Sequence, residues 1–150
     1  MILYHLTFIG SNLGYDNISL SPTHTFTVGD SVSIQLVEDL RICVRDDYVD
    51  LWIALEMPNP ASGQILRLFM VRSPLPPYFA FVGEPAPFKK DVGQEKQTHD
   101  VLDFYIDTEY ATSGTYRFYA AYSKAGTDIS ELLFTLRSNR AAAKIMIDAY

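Results

Sequence analysis

Three histidines, His5, His24 and His99, one cysteine, Cys43, and a loose acidic cluster, Asp46, Asp47 and Asp50, are the residues of this chain best suited to bond-making or metal chemistry. Their spacing argues against such a use. A metal site draws on about three or four convergent His, Cys or carboxylate ligands, and none of the three histidines has a second ligand or a nucleophile at useful spacing. Calcium takes about six to eight oxygens from a glycine-containing loop, a pattern that the Asp46 to Asp50 stretch lacks, so a solvated turn is expected there. Asp103 and Asp107 share one face of an extended segment. Glycoside cleavage needs carboxyl groups roughly 5 to 10 Å apart, whereas four residues of strand separate these by roughly 13 Å.

Cys43 lies in Leu40-Arg41-Ile42-Cys43-Val44 and is read as a small core residue. A lone cysteine excludes an internal disulfide and a CxxC metal site. The chain contains no glycine-rich phosphate cradle, no Ser-His-Asp order and no nucleophile elbow. No catalytic residue, no metal ligand and no cofactor is therefore expected.

Binding is better served by aromatic side chains. Trp52 and Tyr105 occupy outward positions of alternating segments, and Tyr78, Phe79 and Phe81 sit within a proline-rich stretch. Aromatic faces stack on sugar rings or anchor protein interfaces, and the same rings would also serve as a satellite cluster under a long loop.

The elements that would carry these residues are strands. The stretch Ser113 to Asp128 contains one whose Tyr116, Phe118, Ala120 and Tyr122 project to one side, with Ser113-Gly114 and Ala125-Gly126 as turns at its ends. Residues Ile2 to Ile9 alternate in the same way. Thr25 to Asp30 and Ser31 to Leu36 form two strands joined by a hairpin-like or corner connection, and a short strand over Leu40 to Val44 is possible. Val49 to Met57 places Val49, Leu51, Ile53 and Leu55 inward and Asp50, Trp52, Ala54 and Glu56 outward, until Pro58 ends it. Gln64 to Arg72 returns with apolar residues on both faces, which fits a central strand or an edge covered by a loop.

From Ser73 to Thr98 the pattern dissolves around Pro74, Pro76, Pro77, Pro85 and Pro87, predicting one long connection. Val101 to Asp107 is again a strand, with Leu102, Phe104 and Ile106 inward. Glu131 to Arg137 reads as strand or helical turn, and Ala141 to Ala149 as a closing strand despite its alanines. The fold expected is an all-β antiparallel sandwich of about eight or nine strands in a single domain over residues 1–150.

Composition agrees. The chain has 150 residues, 48% of them hydrophobic, with ten tyrosines and nine phenylalanines that suit pleated surfaces. A domain of this length buries roughly 70% of its unfolded surface and needs no disulfide or metal to fold. Its net charge of −6, with 12 basic against 18 acidic residues and no basic block, argues against a nucleic-acid partner. No run approaches the roughly 20 apolar residues of a membrane span, and the N-terminus lacks a basic region followed by a long apolar one.

Several motifs also carry a resemblance. Gly29-Asp30 before an alternating strand, Val49-Asp50-Leu51-Trp52-Ile53-Ala54-Leu55 with Pro58, Pro87-Phe88, Ser113-Gly114-Thr115-Tyr116-Arg117-Phe118-Tyr119-Ala120-Ala121 with Gly126-Thr127-Asp128, and Ser138-Asn139 before the last strand follow in order. Over roughly residues 24–148 this resembles a bacterial immunoglobulin-like domain of exported or cell-surface proteins, with residues 1–23 as an N-terminal strand and loop.

From its residues alone the chain reads as either cytoplasmic or exported with its signal removed; the resemblance implies an extracellular or cell-surface location and a non-enzymatic structural or protein-interaction role with a protein partner or self-association. Two alternatives stay open: a filament or pilus subunit assembled by strand addition through Ile2 to Ile9, and a carbohydrate-binding module using Trp52 and Tyr105.

Overall fold

The computed structural model describes residues 6–12, 24–38, 48–75, 79–93, 98–107 and 112–149. The expectations placed on Tyr78, Cys43, Asp46, Asp47 and His5, and on a strand over residues 40–44, fall outside them.

Among the described residues, alternation of apolar and polar side chains produces ten strands: β1 (Leu6–Asn12), β2 (His24–Thr27), β3 (Ser31–Glu38), β4 (Val49–Pro58), β5 (Ile65–Arg72), β6 (Phe79–Val82), β7 (Lys89–Val92), β8 (Thr98–Tyr105), β9 (Gly114–Lys124) and β10 (Ala141–Asp148). Strands β1, β3 and β8 form a three-stranded sheet in that order, and β2, β10, β9, β4, β5 and β6 follow one another in a second sheet, with β7 added to β4. Among the described residues there is no α-helix, only a 3₁₀ segment, Ile129–Phe134, capped by the Asp128 carboxylate on the Ser130 amide. All-β architecture with two facing sheets is what the period-two pattern demanded.

The sheets meet through a single apolar layer. Strand β3 alternates without exception, burying Val32, Ile34 and Leu36, while β10 buries Ala141, Ala143, Ile145 and Ile147. On β9 the inward set Tyr116, Phe118, Ala120 and Tyr122 is buried as the sequence implies. Phe8 of β1 and Phe118 of β9, with ring centroids 6.4 Å apart, join the two sheets. Burial of this order contributes roughly 1.5 to 3 kcal/mol for each large aliphatic or aromatic side chain.

The chain passes between sheets at a corner. Gly29, at φ 96°, turns β2 into β3, the Asp30 side chain accepts from the Thr27 amide, and the Gly29 amide donates to Ile106 beyond β8. This corner, rather than a hairpin, is required because β2 pairs in parallel with β10 of the large sheet while β3 belongs to the small one.

The proline-rich region departs from expectation. Instead of one unbroken connection, it contributes β6, which pairs with β5, and β7, which pairs with β4 through Val49 and Leu51. Strand β5 occupies β4 only from Ala54 to Pro58, so the rest of that edge is open to β7, and the Phe88 amide closes on the Leu51 carbonyl. Prolines outside these two short strands leave every ladder position with an amide to donate. The pairing also makes β5 an internal strand, which explains the apolar residues on both of its faces.

Candidate functional site

Three regions gather the residues with chemical potential: a polar bridge inside the sandwich, an apolar cleft beside β6, and a groove on the outer face of the large sheet.

The bridge begins with Tyr122, which β9 points into the core. Its hydroxyl donates to Glu38 Oε1 at 2.5 Å and meets His99 Nε2 at 2.5 Å; Lys89 Nζ lies 2.9 Å from His99 Nδ1. Glu38 is 3% exposed and His99 and Tyr122 are fully buried. Since the hydroxyl proton goes to Glu38, its oxygen accepts from His99 Nε2–H, and His99 Nδ1 then accepts from Lys89. All bonds therefore run one way, from a cation to a carboxylate. Desolvation pushes the Lys89 ammonium below its ordinary value, the Arg72 charge pushes in the same direction, and Asp100 opposes both. The position of the bridge, with Tyr122 in the large sheet and Glu38 and His99 in the small one, makes it a polar tie between the two sheets.

His99 and Glu38 were not recognisable as a pair in the sequence. They are 61 positions apart; Glu38 continues the inward phase of β3, whereas His99 has the opposite phase to Leu102 and Ile106 and turns inward only through the register shift between Ile34 and Gln35 in the pairing of β3 with β8.

Asp50 is likewise buried, at 3% exposure, although its alternation assigned it outward. Its carboxylate accepts from the backbone amides of Asp91 and Gly126, each at 2.9 Å. The turn after β9 and the bend of β7, where Asp91 has a left-handed φ of 52°, cover it. Among the described residues no three His, Cys, Asp or Glu side chains converge on a common point.

Phe79 and Phe81 of β6 stand with ring centroids 5.5 Å apart. Both line an apolar cleft of about 190 Å³ between the sheets, with Leu55, Met57, Leu102 and Phe118. Phe79 packs against the core while Phe81 remains 37% exposed at the rim.

Trp52 and Tyr105 are not brought together. Tyr105, 60% exposed, pairs with Ser31 on the outer face of the small sheet; Trp52 pairs with Ala121 on the outer face of the large one. No single flat ligand spans both rings. Trp52 is also buried rather than open, because its Nε1 donates to Ser123 Oγ at 3.0 Å and its ring packs edge-on to Phe69.

Trp52 belongs instead to the groove. Beyond β9 the chain folds back: Lys124 N donates to Thr135 O, Arg137 N donates to Tyr122 O, and Leu136 bridges Ser123. Leu132 and Leu136 thereby wall the outer face of the sheet. The Ala54, Ala121 and Ala142 side chains form a low floor, and Trp52, Tyr119 and Arg140 complete a groove of about 480 Å³. Alanine matters here, since larger residues at these outward positions would fill the space. Tyr119 is 37% exposed, in register between Ala54 and Ala142. The groove falls within the size range of ligand sites, which are mostly apolar with few polar groups.

No protein-family model and no curated protein matches this chain.

Proposed function

We propose that this chain is a non-enzymatic protein-interaction module of an exported or cell-surface protein, of the immunoglobulin-like kind that its motifs resemble, and that it engages its partner through the outer groove of the large sheet. The observation that carries this reading is the meeting of Trp52, Tyr119 and Arg140 around an alanine floor. Trp, Tyr and Arg are the side chains that dominate binding energy at protein interfaces, and they do so where they surround a partly desolvated pocket. Among the described residues, Glu38, Tyr122, His99 and Asp50 support the same reading, being buried and engaged in bonds that hold the fold. The described residues contain no helix long and apolar enough to cross a membrane.

The test is site-specific photo-crosslinking in the native host. A benzophenone side chain at Tyr119 is expected to trap one partner protein, and filling the floor with Ala142→Leu is expected to abolish the product. The same probe at Asp103, on the exposed face of the small sheet, serves as the comparison. Equal products from both positions, or none from Tyr119, would refute the reading.

A further inference from the structure

We infer that the occupant of the groove is an extended acidic peptide in which an apolar residue is flanked, two positions to either side, by carboxylates. This deepens the proposed function and rests on it.

Strand β10 displays Ala142, Lys144 and Met146 outward, and Arg140, one residue ahead of the strand, continues the same exposed phase. Successive outward positions on a strand are roughly 7 Å apart. The line Arg140, Ala142, Lys144 is therefore a cation, a low point over the groove, and a second cation, at the pitch of an extended chain's own alternate side chains. A peptide laid along β10 would place its apolar side chain over Ala142, against Tyr119 in register beside it on β9, and one carboxylate over each cation.

Charge complementarity selects this occupant. Arg117 lies in register between Glu56 and Lys144, so a third cation borders the line. Arg117, Arg140 and Lys144 have no ion-pair partner among the described residues. The acids of β4, on the other side of β9 from β10, are committed elsewhere: Glu56 accepts from Arg67 at 3.2 Å, and Asp50 from two backbone amides. On a chain with a net charge of −6, a row of unpaired cations beside an apolar groove leaves carboxylates as its natural complement. An arginine at the groove's rim adds a fork that takes a carboxylate through two hydrogen bonds.

The experiment titrates the full chain with a fluorescein-labelled nonapeptide carrying phenylalanine flanked two residues away on each side by glutamate. Saturable binding is expected, weakened by salt between about 0.05 and 0.5 M. Arg140→Gln and Lys144→Gln are each expected to weaken it about three- to tenfold, as is the peptide with glutamines in place of glutamates. Ala142→Leu is expected to remove it. Both cations are exposed, so their variants should melt like the parent. Equal affinity for the glutamine peptide, or indifference to Arg140→Gln and Ala142→Leu, would overturn the inference. So would binding of an oligogalacturonate in place of the peptide, the outcome for an anionic sugar site. If photo-crosslinking at Tyr119 still traps a single partner while this peptide fails to bind, the interaction role stands and only the acidic-peptide assignment falls.

Discussion

Replacing Tyr122 by Phe tests the polar tie between the sheets with the least disturbance of packing. The phenylalanine ring occupies the same space, so no cavity term enters, and only the hydroxyl is lost. That hydroxyl donates to a carboxylate that is 3% exposed and accepts from a histidine with no exposure, at 2.5 Å to each. A hydrogen bond to a charged group contributes about 1.5 to 3 kcal/mol, and leaving a buried donor poorly matched costs about 1 to 3 kcal/mol. Glu38 and His99 keep other interactions, which reduces the sum, and the expected loss is about 3 kcal/mol. For a domain of this size that corresponds to a fall in Tm of roughly 6 to 12 °C.

Equilibrium unfolding in urea should show a lower midpoint with an unchanged slope. Combining Tyr122→Phe with Glu38→Gln should cost about 1 to 2 kcal/mol less than the separate losses added together, since the two groups act through one bond. A loss under about 0.5 kcal/mol for Tyr122→Phe, or strict additivity in the cycle, would show that the bridge does not tie the sheets together.

Two further outcomes are expected. Lys89 has a folded-state value below that of the unfolded chain, so between the two values the unfolded state binds more protons and stability rises with pH. The penalty is present below the folded value and relieved above it. Wild type should therefore gain stability relative to Lys89→Met as pH rises from neutrality toward 10.5, measured by urea midpoints in matched buffers, and a flat difference would contradict this. Gly114 has a φ of 143°, and a Cβ there would fall 2.6 Å from Pro58 Cγ, whereas Gly126, at φ 79°, has nothing within 4 Å. Gly114→Ala should cost about 2 to 4 kcal/mol and Gly126→Ala about 1 kcal/mol by thermal unfolding, and equal losses would refute the steric argument.

How much of this was legible beforehand follows from which interactions are local. Alternation on β3, β4, β9 and β10 directs side chains to one face or the other without reference to anything distant, so the all-β class and most core residues could be read from spacing alone. The same rule does not tell which outer face gets covered. Trp52 and Asp50 have outward phase and are nonetheless buried, because Phe69, the β9 turn and the bend at Asp91 close over them from other parts of the chain. The proline-rich region looked structureless because strands as short as β6 and β7 show too few residues to establish a period.

What the order of residues settled by itself was therefore the period: which segments extend, where glycine and proline stop them, and which side chains share a face, since each depends only on neighbours in the chain. Tertiary structure alone decided the rest. It set Tyr122 against Glu38 and His99, across separations of 84 and 23 residues, and folded residues 129–140 back so that Trp52, Tyr119 and Arg140 surround an alanine floor. Both arrangements depend on sheet order and register, which arise from the packing of the whole chain and leave no mark in any one stretch of it.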